Sequence, residues 1–427
     1  MLITLKREFR EGKNLLQFGF LAGVGQALGM IAPLVVAKFF ASEELYASYS
    51  LANMVVFLFL ALLVASPQTP FIIFANQERA RTGKINKAFS VRLSLLGLGV
   101  LVFFVLTLAL NNLVCDFAKI GRLDLIFVVL AFVGLASKSL VTGLFMGTGQ
   151  RIKSSAAELI FGATVLFGII VFYRAQALNL RTVFLTYLMG GLAVVVLCVK
   201  LIDFGRLLPF AFDRQLFKQM VDFTKWVLLG ATAVYFINWG GIVVLRVFCA
   251  VGVVSMGDIG SYNLGYQIFK GVIMLTYIVG AYFLPFVSEH VEDEGKMRDY
   301  LYAKRPKILI VGFVLIGLFF VVAPYAFKMA YGDVYEGSVM VVRILLVGSA
   351  MMLYAIFYEP ILNSLKRYKF IQAVNVTQVL LSLVGALVLV PLTGLAGAAL
   401  ATVFAYLFRA AAMKFYFEMR LKDVFKA

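Results

Sequence analysis

Trp239–Tyr277 reads WGGIVVLRVF, then CAVGVVSMGD, then IGSYNLGYQIFKGVIMLTY. Two long apolar runs flank a short turn, and both carry polar groups that a lipid-facing helix avoids. In the second run Asn263, Tyr266, Gln267, Lys270, Met274 and Tyr277 fall at i, i+3, i+4, i+7, i+11 and i+14, which is one face of a helix. In the first, Tyr235, Asn238, Trp239 and Arg246 share a face in the same way. Lys270 stands about eleven residues into its run, close to mid-bilayer at about 1.5 Å of rise per residue. A cation facing lipid at that depth costs about 2.5–3.5 kcal/mol. Lys270 is therefore expected to face protein, water or an anionic ligand.

The composition around this stretch points the same way. The 427 residues are 62% hydrophobic and 14% charged, with a mean hydropathy of +0.96. A soluble chain of this size cannot hide so much apolar surface, whereas a polytopic helical membrane protein can. Membrane β-barrels alternate apolar and polar residues; these runs do not, which leaves helices. No cleavable signal peptide is read at the start: MLITLKREFREGK is a basic amphipathic cap ahead of a run long enough to stay as a helix. The net charge of +17 is read as membrane topology, and nucleic acid is not expected as a partner. Cys115, Cys198 and Cys249 show neither metal-ligand nor redox spacing. The single histidine, His290, is read as a solvated residue of an acidic loop. There is no phosphate-binding glycine loop, nucleophile elbow or metal-ligand cluster, so neither an enzyme, an ATP-driven pump, a metal site nor a cofactor is expected.

Twelve membrane spans are predicted, near 15–40, 45–74, 88–110, 124–146, 155–173, 181–202, 224–249, 257–287, 306–328, 338–362, 371–392 and 395–416. With the N-terminus in the cytoplasm, most of the 39 Lys and Arg fall on the inner side. Lys6, Arg7 and Arg10, Arg79, Arg81 and Lys84, Lys304, Arg305 and Lys307, and Lys366, Arg367 and Lys369 are examples. The outer loops carry only Lys119, Arg122, Arg174, Arg181, Arg246 and Lys328. This bias places both termini of a multi-pass chain in the cytoplasm.

Residues 203–223 have the pattern of an amphipathic helix on the inner surface, with Phe212, Leu216, Phe217, Met220 and Phe223 on one side. They divide the chain into an N-terminal lobe of six spans over 1–202 and a C-terminal lobe over 224–427. The halves repeat. Val35–Phe40 (VVAKFF) matches Val243–Phe248 (VVLRVF), Ala47–Ala52 (ASYSLA) matches Gly260–Gly265 (GSYNLG), and Arg151-Ile152-Lys153 matches Arg367-Tyr368-Lys369. The offset grows between the first two matches, so the turn in the second half is longer. Six spans is an even number, so both halves enter from the same side and the repeat is parallel. The expected fold class is thus an all-α polytopic membrane protein, twelve transmembrane helices in two six-helix bundles around a central cavity. Pro33, Pro67, Pro70, Pro285 and Pro360 lie inside or near the ends of spans, where each permits a kink.

Several segments resemble a known family. PLVVAKFFASEELYASYSLA at 33–52, GDIGSYNLGYQ at 257–267, YGDVYEGSVMVVRIL at 331–345 and VPLTGLAGAALATVFAY at 390–406 are similar to polysaccharide repeat-unit (Wzx-type O-antigen) flippases. Those flippases are part of the multidrug/oligosaccharidyl-lipid/polysaccharide (MOP) exporter superfamily. The likeness runs over most of the chain, and its order and spacing are more specific than any one motif. It implies a V-shaped, MATE-like fold and a flippase in lipopolysaccharide or related surface-polysaccharide biosynthesis. The cargo would be a polyprenyl-diphosphate-linked oligosaccharide, moved from the cytoplasmic to the periplasmic leaflet by alternating access. The partners implied are that lipid-linked oligosaccharide, membrane lipid, a polysaccharide polymerase and a chain-length regulator.

Such a cargo brings a diphosphate and many hydroxyls into the bilayer, and a wet cleft with cations and amphipathic aromatics answers both. The candidate cavity cations are Lys270, Arg246, Lys38, Lys138 and Arg343. For Lys38, Arg246, Arg92 and Arg343 the competing reading is snorkelling to the interface; for Lys138 and Arg409 it is pairing with a carboxylate. The candidate sugar contacts are Tyr49, Asn53, Asn238, Trp239, Asn263, Tyr266 and Gln267, residues that equally serve as hydrogen-bonding partners between helices. Glu158 and Glu359 are candidates for ion coupling, or for neutralising a neighbouring cation. The alternative function is a cation-coupled multidrug or metabolite antiporter on the same fold, which a basic interior disfavours; a scaffold without transport is disfavoured by the polar faces.

Overall fold

Long apolar runs with few internal breakers fold as long helices, because in lipid only intrahelical bonds satisfy the backbone. The computed structural model describes residues 2–40, 42–290, 293–365 and 367–420. Among them there is no strand, and twelve long helices account for most of the chain. In unit order they begin with α1 (Leu2–Phe40), α2 (Glu43–Thr82), α3 (Asn86–Ala109), α4 (Arg122–Gly147), α5 (Arg151–Arg174) and α6 (Leu180–Leu201). The remainder are α7 (Arg214–Ala250), α8 (Met256–His290), α9 (Arg305–Tyr331), α10 (Glu336–Ala355), α11 (Tyr368–Thr393) and α12 (Leu395–Arg420). Eleven stretches among the described residues are long and apolar enough to cross a membrane, and α8, with 35 residues, is the twelfth long helix. The chain is an all-α polytopic membrane protein. On α9 the side chains of Ile310, Val314, Leu318 and Val321 are exposed, a surface that hydrocarbon solvates and water does not.

The helices gather into two compact units, one of residues 1–40 with 48–232, the other of 41–47 with 233–427. Within the first, α1 packs on α5, α5 and α4 pack on α6, and α2 and α3 pack on α4. The second repeats four of these five pairings with its own helices: α12 takes α11 and α10, while α8 and α9 pack on α10. The two halves of the sequence thus share most of their packing partners. The turn between Phe40 and Glu43 corresponds to the longer one between Ala250 and Met256. The α4–α6 contact depends on glycine. A methyl group at Gly134 would stand 2.2 Å from the Tyr187 carbonyl oxygen, and one at Gly191 would stand 2.5 Å from the Gly134 Cα. Small residues let membrane helices touch backbone to backbone.

The structure departs from the predicted elements in four places. Residues 203–223 do not form a separate helix: Phe204–Arg206 is a single 3-10 turn, and Arg214–Ala250 is one continuous helix. Pro209 interrupts the chain upstream, whereas nothing between 214 and 250 breaks a helix. The contact-based division accordingly falls within α7, at Thr232, and gives the start of α2 to the second unit. There the Ser261 hydroxyl bonds the Glu43 carboxylate, Asn263 donates to the Tyr46 hydroxyl at 3.2 Å, and Tyr46 meets the Tyr335 ring edge-on at 6.0 Å. The predicted span 338–362 ends early. α10 stops at Ala355 and a short helix, Glu359–Ser364, restarts with Pro360 in its first turn, where a missing N–H breaks no helical bond. Finally, α2 contains a π-helical segment, Leu60–Ala65, just ahead of Pro67 and Pro70. His290 is the last residue of α8, its ring nitrogen 2.9 Å from the Phe286 carbonyl, not part of a loop.

Candidate functional site

The polar face of α8 lies against α7, and most of it is used up there. Tyr266 donates to the Ile237 carbonyl at 3.1 Å and reaches Asn238 Oδ1 at 3.5 Å. Gln267 donates to Asn263 Oδ1 at 3.2 Å, and Asn263 to Tyr46. All three side chains are buried. Tyr266 and Asn263 thus join α8 to α7 and α2, the alternative the sequence left open for them, while Gln267 bonds within its own helix. Asn238 donates to Val234 on its own helix at 2.7 Å and stays half-buried.

One turn further along the same face the character changes. Lys270 Nζ stands 5.8 Å from the centre of the Trp239 ring, a cation–π distance. Among the described residues no carboxylate comes within ion-pair range of it. Beyond Lys270 the stripe continues through half-buried Met274 to Tyr277, which is 47% exposed. Tyr277 in turn lies within electrostatic range of Arg409 and Glu359.

Two of the other intramembrane cations are neutralised by carboxylates. Arg409, 4% exposed, bonds Glu359 at 3.0 Å, Asn375 at 2.5 Å and Gln378 at 3.1 Å. The break in the tenth span is what brings Glu359 there. In the first unit Lys138 pairs with Glu158 at 2.5 Å and lies 5.0 Å over the Phe161 ring. Both candidate ion-coupling carboxylates therefore hold a cation. Asn375 and Gln378 were missed by sequence reading; their signal was two amides three residues apart in an apolar run.

The remaining candidates are scattered. Tyr49 and Asn53 are buried in the first unit, where Tyr49 shares a 2.8 Å hydrogen bond with Tyr187 and accepts one from Asn53 at 3.2 Å. Lys38 is exposed in the last turn of α1. Arg246 is 7% exposed, so it does not snorkel. Arg343 lies against Phe320 of α9, 5.3 Å over its ring, with Nε donating to its carbonyl at 3.4 Å. Arg92, for which snorkelling was the competing reading, is fully buried and donates to the Val64 carbonyl at 2.9 Å beside the π-helical segment. Among the described residues there is no cluster that could hold a metal ion.

These helices, in this order, form a membrane fold shared with solved transporter structures. A lipid II flippase, MurJ, in an inward closed conformation superposes with a TM-score of 0.77 at 12% identity, over 96% of this chain and 89% of that one. An inward-facing multidrug resistance MATE family transporter gives 0.77 at 12% identity, over 94% and 98%. A MATE transporter from Vibrio cholerae gives 0.67 at 9% identity, over 97% and 98%. At these identities the likeness is one of fold. No family model matches the sequence, and no curated protein matches it.

Proposed function

We propose that the protein is a flippase that carries a polyprenyl-diphosphate-linked oligosaccharide repeat unit from the cytoplasmic to the periplasmic leaflet of a bacterial inner membrane by alternating access. It would supply a polysaccharide polymerase and its chain-length regulator. The observation that carries this reading is Lys270. An unneutralised ammonium inside the membrane is costly, and such groups mark ligand paths. Lys138 and Arg409 have their carboxylates; Lys270 has a Trp239 face and among the described residues no counter-charge. A diphosphate supplies the missing anion, and Trp239 and Tyr277 offer amphipathic rings to sugar. The fold likeness to a structure named as a lipid II flippase supports a lipid-linked cargo.

The cation-coupled antiporter is the second reading, and the carboxylates Glu158 and Glu359 favour it, although both are paired with cations. One set of experiments separates the two. In a bacterium lacking its own copy of the gene, Lys270→Ala is expected to abolish surface polysaccharide with protein level unchanged, while Lys270→Arg keeps part of it. Normal polysaccharide from Lys270→Ala, or a gene deletion that alters only drug susceptibility, would overturn the flippase reading.

A further inference from the structure

We propose that the seam between α9 and α10 holds one zwitterionic membrane phospholipid. An acyl chain fills an apolar groove and the headgroup sits in the polar pocket at the groove's end. The groove has a volume of about 530 Å³ and runs between α8, α9 and α10; Val272, Val279, Ile308, Ile316, Phe319 and Leu346 are among its walls. Its one polar lining residue, Thr276, has its hydroxyl committed to the Ile273 carbonyl at 2.7 Å. Along α9 the lining positions Ile308, Gly312, Ile316 and Phe319 recur at helical spacing, so the groove follows the helix for about 16 Å. A cavity of this size far exceeds the voids that packed interiors tolerate, and apolar cavities stay dry. In a membrane span the medium that fills such a groove is hydrocarbon. α9 also has the least cover of the membrane-spanning stretches: 6% of its apolar window is buried within the protein.

What makes the occupant a phospholipid is the second cavity, about 520 Å³, further along the same two helices. Phe319 walls the groove, the next residue carries the Arg343 guanidinium on its ring, and Arg343 lines the second cavity. That cavity also presents Lys328, Asp333 and Glu336. Lys328 already pairs with Asp333 at 3.5 Å, which leaves Arg343 to meet the phosphate and Glu336 the amine of a headgroup with one charge of each sign. An anionic headgroup would set its charge against Glu336. The site is separate from Lys270, since Val272, Thr276 and Val279 occupy the opposite face of α8.

The test is native mass spectrometry of the full chain, purified from nanodiscs of equal parts phosphatidylethanolamine and phosphatidylglycerol and then stripped in detergent. One phosphatidylethanolamine per chain is expected to survive. Ile316→Trp, which fills the groove, is expected to lose it, and Arg343→Gln to weaken its retention about tenfold. Thermal melts confirm folding, and Val279→Trp closes the groove from α8 if Ile316→Trp fails to fold. No retained lipid in the unmodified protein, equal or greater retention of phosphatidylglycerol, or full retention in a folded groove-filling variant would each overturn the proposal. None of these readouts depends on transport, so failure here leaves the flippase reading where it stands.

Discussion

Arg409 and Lys270 are cations of the same unit, and what distinguishes them is their company. Arg409 is closed off: its guanidinium is shared among Glu359, Asn375 and Gln378. Removing one partner of such a pair strands a charge in a low-dielectric interior, at a cost of about 3–5 kcal/mol, whereas replacing both is close to neutral. Arg409→Met and Glu359→Gln are each expected to lower the detergent melting temperature by several degrees, and the double variant to recover more than half of that loss. Single variants that melt like the unmodified protein would show that the pair carries no structural load. Lys138–Glu158, with side chains 24% and 27% exposed, is expected to show the same pattern at smaller amplitude, because water already screens it. Lys270 has no such carboxylate to strand, so its loss is expected in transport and not in the melt.

At the level of single helices, the start of α7 shows how little sequence is needed to place a boundary once the breaker and the cap are recognised. Asp213 accepts from the backbone N–H groups of Gln215 and Leu216, each at 3.0 Å, and pairs with Lys87 at 3.2 Å. The Leu216 N–H, and next to it the bond from Lys87, hold its carboxyl below the ordinary value of 3.8. A depressed carboxyl pKa contributes stability that is present above 3.8 and is lost as pH falls through the lower native value. Amide exchange at Gln215 and Leu216, corrected for intrinsic rates, is expected to accelerate below that point. Asp213→Asn keeps an acceptor and should remove the pH dependence, while Asp213→Ala should speed exchange at every pH by the loss of a cap of about 1 kcal/mol. An unchanged pH profile in Asp213→Asn would exclude this titration as its source. The long helices themselves were legible from hydropathy, because each must satisfy its own backbone in lipid. Less legible was how they are interrupted: a π segment ahead of Pro67, a stop ahead of Pro360, and the absence of any stop between the predicted linker and the seventh span. Periodicity also placed Asn263, Gln267 and Lys270 on one face without saying what that face meets. Helical spacing encodes direction, not partner, so it could not tell the amides spent on Tyr46 and each other from the lysine that was not.

For the molecule as a whole the decisive question is the sense in which its halves repeat. Two units with corresponding packing partners fit either a parallel or an inverted arrangement across the bilayer, since packing partners do not record which way a helix enters. The charge distribution does. Lys84 and Lys87 between the second and third spans, and Lys296 and Arg298 between the eighth and ninth, lead us to expect corresponding loops of the two halves in the cytoplasm. In a background with Cys115, Cys198 and Cys249 replaced by serine, single cysteines at Asn112 and Val253 are expected to react with a membrane-impermeant maleimide in spheroplasts. Cysteines at Lys84 and Gly295 are expected to react only after permeabilisation. Labelling of the second-half pair in the opposite sense would make the repeat inverted and would bring the Lys328 end of α9 to the cytoplasm.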